Sequence, residues 1–129
     1  MAYLDIWVLD NGLSYLTARG QRLDICYQEP TTFLQATVTY SLGYKTPLVI
    51  PAPSALISPA GRRVLVPAIT DGIVTASSTG TVDDAQFWAI TDVTNSALLA
   101  AGLLAAPDLV TVGDGFTLPA FSIGFPFPT

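Results

Sequence analysis

The chain is 129 residues long, half of them hydrophobic, with only 12% charged and a net charge of −5 at neutral pH. Its five basic side chains include one adjacent pair, Arg62-Arg63, so no clustered positive charge is offered to a nucleic-acid backbone or an anionic lipid surface. With no His and a single Cys, the sequence argues against zinc and copper sites, and an internal disulfide is impossible.

Residues 3–9 form a first extended segment, Tyr3-Leu4-Asp5-Ile6-Trp7-Val8-Leu9, too apolar to be wet on both faces. Asp10-Asn11-Gly12 signals a helix entry, with Asp10 as the cap of a short helix over residues 13–18. Leu13 and Leu16 point inward, and Gly20 stops the helix by taking the left-handed conformation. Residues 21–28 alternate as a half-buried strand, Leu23, Ile25 and Tyr27 on one face, Arg22, Asp24 and Cys26 on the other. Cys26 reads as a small packed side chain, since a thiol nucleophile needs a base and the chain has no His.

After the break at Glu29-Pro30, residues 31–36 suit a helical turn capped by Thr31 or Thr32. The β-branched run 37–40 predicts extended chain. Residues 45–59 carry four prolines, at 47, 51, 53 and 59. They read as a long irregular connection or a sheet-edge segment, a Pro-rich loop whose apolar side chains favour a contact arm over a surface loop with no partner. Residues 62–70 and 73–78 predict a hairpin about Asp71-Gly72, with Pro67 marking a sheet edge or bulge. Residues 86–92 form the next strand, and 97–104 a strand rather than a helix, given Gly102 in mid-run and the short turn before it. Ala106-Pro107-Asp108 reads as a corner, 109–112 as a short strand, Gly113-Asp114-Gly115 as a turn, and 116–123 as the closing strand, with Phe116, Leu118 and Ala120 on one face. The tail 124–129 holds Phe125, Phe127 and two prolines, costly to leave wet unless they dock on this molecule or on a neighbour.

These elements predict an all-β, single-domain β-sandwich over residues 1–129, jelly-roll-like, with one or two short N-terminal helices and the Pro-rich middle loop. An ordinary soluble domain is about 25% charged. So few charges on a small domain predict an apolar surface that a partner covers. The N-terminus lacks a basic region and carries Asp5 and Asp10, so no export signal is expected and the chain is expected to be soluble and made in a cytoplasm. The apolar run 97–107 is shorter than the about 20 residues of a spanning helix.

Chemistry is hard to find. Asp83-Asp84, the only adjacent carboxylate pair, would point to opposite faces of a strand. Asp92 with Asn95 falls short of the six to eight or so oxygens that calcium takes. Asp5, Asp10, Asp24, Glu29, Asp71, Asp108 and Asp114 give no supported glycosidase pair. No phosphate loop, nucleotide fingerprint or nucleophile elbow occurs. The expectation is a non-enzymatic protein without metal or cofactor.

Several stretches together resemble a group of small tailed-bacteriophage and prophage virion proteins. They are Leu9-Asp10-Asn11-Gly12-Leu13, Ile25-Cys26-Tyr27-Gln28-Glu29-Pro30-Thr31-Thr32, Gly61-Arg62-Arg63-Val64, Phe87-Trp88-Ala89-Ile90 and Gly113-Asp114-Gly115-Phe116-Thr117-Leu118-Pro119-Ala120. The resemblance implies a capsid cement or decoration protein, bound to the exterior of the major capsid protein lattice as a homo-oligomer, dimer or trimer, in a virion built in a bacterial host cytoplasm. The contacts expected on that reading are Trp7, Leu48, Val49, Ile50, Leu56, Ile57, Phe125 and Phe127. A tail or fibre component binding a host glycan or adaptor protein is the alternative; a hydrolase ranks third.

Overall fold

The computed structural model describes residues 3–4, 12–57, 60–78, 80 and 84–126. Ten strands, all paired antiparallel, form two sheets. They are β1 (Tyr3–Leu4), β2 (Arg22–Cys26), β3 (Ser41–Lys45), β4 (Ser54–Ile57), β5 (Ala60–Val66), β6 (Ile69–Val74), β7 (Ala85–Asp92), β8 (Ala97–Asp108), β9 (Gly115–Leu118) and β10 (Phe121–Pro126). The larger sheet runs β1-β8-β7-β2-β3-β6-β9, and the smaller β10-β5-β4. The expected all-β, sandwich-like fold is what forms.

The two sheets are joined by one bent ribbon. Val66 pairs with Phe121 in the small sheet, and Ile69 with Leu118 in the large one. Between these pairs both chains turn, through Pro67-Ala68 and Pro119-Ala120. Strands that change sheets must leave the ladder at the bend, and proline, which has no N–H to give, belongs there. Val64, Val66 and Ile123 from the small sheet then meet Leu23, Ile25, Ile90 and Leu99 from the large one in a common core, closed at one end by Leu13 and Leu16 of helix α1 (Leu13–Arg19).

A second, smaller apolar cluster of Cys26, Ala36, Ala89, Leu98 and Ala101 lies on the opposite face of the large sheet. Alternation along β2 and β7 requires this, because Ile25 and Ile90 belong to the main core. The cover on that face is a π-helical turn (Gln35–Thr39), in which Ala36 is buried.

Several local expectations are corrected. Residues 37–40 are not extended: the Thr32 hydroxyl accepts the Gln35 N–H at 3.1 Å, and Thr37 donates to the Phe33 carbonyl at 2.8 Å. Those bonds settle β-branched residues into a helical turn that tertiary packing also favours. There is no hairpin at Asp71-Gly72, because β6 runs straight through it. Gly72 stands opposite Phe116, and a Cβ there would enter the phenyl ring, so this glycine seats an aromatic ring and makes no turn. Gly20 ends α1 at φ −72°, outside the left-handed region. It is glycine because a Cβ would lie 2.7 Å from the Leu16 carbonyl and 2.8 Å from Ile50 Cδ1.

Residues 45–59 are only partly a loop. They contain β4, and Leu48 and Ile50 are buried in the main core. Residues 109–112 form no strand; Val110 is held by Ser78, whose hydroxyl accepts its N–H at 2.9 Å. Strand β8 continues past Pro107 to Asp108, and the single closing strand is two, β9 and β10. The expected tail at 124–129 is β10 as far as Pro126. Asp10, Trp7 and Phe127 lie outside the described residues.

Candidate functional site

A concave feature of the described surface begins as a register fault. Along β7 and β8 the pairing passes from Phe87↔Leu103 to Ala85↔Asp108. Two steps on β7 therefore face five on β8, and residues 104–107 bow outward as a bulge. Opposite the bulge stands the bend between β9 and β10. The space between them is a groove of about 550 Å³ whose lining includes Trp88, Leu103, Leu104, Pro107, Pro119 and Phe121. Asp108 is the one charged residue of the lining, and Thr117 and Ser122 add hydroxyls.

Trp88 fixes the floor. It pairs in register with Gly102, where a Cβ would stand 2.7 Å from the indole Cζ2. Only glycine lets the indole lie against the neighbouring strand. Phe121 packs on it with ring centroids 4.7 Å apart and planes tilted by 38°. The indole is thus engaged on Gly102 and Phe121 rather than presented as a free platform for a sugar. The rim is apolar as well: Leu103 is 60% exposed.

The chief buried polar cluster lies elsewhere, on β2. Asp24 is fully buried and accepts from Arg22 Nε at 2.7 Å, Arg22 Nη2 at 2.9 Å and the Ser41 hydroxyl at 2.6 Å. Arg22 also donates to the Thr37 carbonyl at 3.4 Å, and its guanidinium lies 4.3 Å above the Tyr44 ring. Burial raises the Asp24 pKa against the opposing hydrogen bonds of Arg22 and Ser41. Burial, then the neighbouring Asp24 charge, pushes the Cys26 thiol upward, which keeps it protonated and inert. The cluster ties the π-helical turn to the large sheet. Its hydrogen bonds are made within the fold, between β2, β3 and the segment 33–39. Asp92 is likewise engaged, accepting Asn95 Nδ2 at 2.7 Å and the Asn95 N–H at 3.2 Å in its own turn. Among the described residues no three His, Cys, Asp or Glu side chains converge as metal ligands, and no helix is long and apolar enough to cross a membrane.

The expected contact residues divide. Leu48 and Ile50 correct the expectation, since both side chains fill this chain's own core. Val49 between them is 72% exposed, as extended alternation requires. Leu56 and Ile57 are in β4, opposite Gly61 and Ala60. Phe125 is half-buried against the main core, opposite Arg62 in β5. Trp7 and Phe127 are outside the described residues. Leu48, Val49, Ile50 and Phe125 do not line the groove. The groove was not foreseen from the sequence, although Gly102 opposite an aromatic strand was a signal for it. Compared with known proteins, the chain matches no protein-family model, no curated protein and no solved structure.

Proposed function

We propose that this chain is a non-enzymatic virion structural protein, a capsid cement or decoration protein that stabilises the major capsid lattice by apolar contacts between subunits. One observation carries the reading. Among the described residues nine large apolar side chains stand well exposed, on a chain with only 12% charged residues. They include Leu34, which caps the π-helical turn, Val38 within it, Val49 on the Pro-rich stretch, Leu103 at the β8 bulge, and Leu109 and Val112 in the segment after β8. Burying one such side chain is worth roughly 1.5–3 kcal/mol. Several buried together offset the cost of immobilising a subunit.

The partner on this reading is the major capsid protein, with further copies of this chain beside it on the capsid exterior. The test mixes purified protein with capsids lacking it and measures co-sedimentation and particle melting. Saturable binding and a raised particle melting temperature are expected, with binding reduced in a Val49→Asp, Leu103→Asp double variant that still folds. A monomer with no affinity for capsids sinks the reading, and glycan-array binding without capsid affinity selects a tail or fibre role.

A further inference from the structure

The groove is lined by main chain as well as by side chains, and part of that main chain has no strand partner among the described residues. Residues 104–107 have no partner in the β7 register. On its other edge, among the described residues, β8 is paired only with β1, which reaches Ala100 and Ala101. Across the groove, β9 pairs with β6 alone and β10 with β5 alone, so each has an open edge among the described residues. Backbone donors and acceptors beside an apolar surface need partners, and a sheet edge is a template for another chain.

Shape and charge restrict what can lie there. Strands β9 and β10 bring edges unpaired among the described residues to the far wall, a row of main-chain donors and acceptors that suits an extended segment better than a compact ligand. Among the described residues Asp108 is the one charged side chain of the lining, and the nearby Arg63 guanidinium is engaged on the Ser122 hydroxyl at 3.0 Å, which makes the groove a poor site for phosphates and nucleotides. Leu104, Trp88 and Phe121 are half-buried and Leu118 is buried, which leaves apolar surface for alternate side chains of an added strand.

We propose that this groove binds an extended apolar peptide segment of a partner protein by strand addition, hydrogen-bonded to the main chain of residues 104–107 and packed over Trp88 and Phe121. A basic side chain at the end beside Asp108 completes the charge match. The inference rests on reading the chain as a binding protein, but it does not require that the partner be a capsid.

The test selects the purified full chain against displayed random peptides of about twelve residues, a length that more than covers a typical strand. The best binder is then titrated by fluorescence anisotropy against wild type, Ala105→Pro, Ala106→Pro and the matching glycine variants. Neighbouring N–H groups of a strand point to opposite sides, so one of the two prolines removes an outward donor. Enriched peptides are expected to alternate apolar residues. One proline variant weakens binding by about tenfold, while the glycine variants stay near wild type. Should a proline variant not fold, slowed amide hydrogen exchange of residues 104–107 on peptide binding reads the same contact in the wild type.

No enrichment above background overturns the proposal. So does a binder indifferent to both prolines that leaves exchange unchanged, or a concentration-dependent dimer of this chain that the prolines dissociate. Capsid binding with a failed peptide selection would overturn the groove assignment and leave the cement reading standing; peptide binding without capsid affinity would do the reverse.

Discussion

Asp24 and Gly102 are the two residues whose surroundings dictate most. Asp24 has its charge enclosed between paired strands, with Arg22 and Ser41 as its only compensation. Burial outweighs those bonds and lifts its pKa above the ordinary Asp value of about 3.9. The sign of the consequence follows from linkage. Where the folded pKa lies above the unfolded one, the folded state holds the proton more tightly. Its stabilising effect is complete below the unfolded pKa and is lost as pH rises through the folded one. The stability of wild type relative to Asp24→Asn is therefore expected to be greatest in acid and to fall as pH rises from about 4. Thermal midpoints of both proteins across that range check it; a difference that grows with pH would refute it. At Gly102 the argument is steric. Gly102→Ala places a methyl 2.7 Å from Trp88 Cζ2, and overpacking of this kind costs about 1–3 kcal/mol. A lower urea midpoint, with altered tryptophan fluorescence, is the expected result.

Among the elements, the Pro-rich stretch shows what a sequence does and does not disclose. Its prolines correctly announced irregular chain, and strands β2, β7 and β8 and helix α1 were legible because their apolar periodicity is strong and local. The sequence could not disclose that Leu48 and Ile50 fold back under α1 while Val49 faces out, because that depends on the close approach of Gly20 to Ile50. The false hairpin at Asp71-Gly72 has the same origin. A dipeptide with turn propensity was claimed by distant partners, Phe116 across the ladder and Lys45, whose ammonium lies 2.9 Å from the Asp71 carboxylate. The groove was the least legible feature, since it exists only through a register jump between two strands. The neighbouring residues 49 and 50 make the contrast measurable. Ile50→Ala is expected to cost about 2–5 kcal/mol as a buried truncation. Val49→Asp is expected to stay within about 0.5 kcal/mol in the free protein. Equal losses in chemical denaturation would mean that the alternation is misread.

At the scale of the whole molecule the governing quantity is the ratio of apolar to charged surface. A chain with five cations and ten carboxylates can meet a partner through charge or through apolar area, and the two respond oppositely to salt. Attraction between exposed charges is screened beyond about 8 Å at physiological ionic strength, so association driven by charge weakens steeply as salt is added. Apolar burial is not screened, and sulfate strengthens it by being excluded from protein surface. The groove lining has one carboxylate among the described residues and Leu34, Val49 and Leu103 are exposed apolar side chains, so the proposed reading assigns association to the second class. If the chain binds capsids as proposed, that binding is expected to hold within about twofold as sodium chloride is raised well above physiological strength, and to tighten in ammonium sulfate. Sedimentation at fixed protein concentration across both salts measures it. A loss of binding of about tenfold or more in sodium chloride would instead assign the contact to the acidic side chains and leave the exposed leucines and valines without a role.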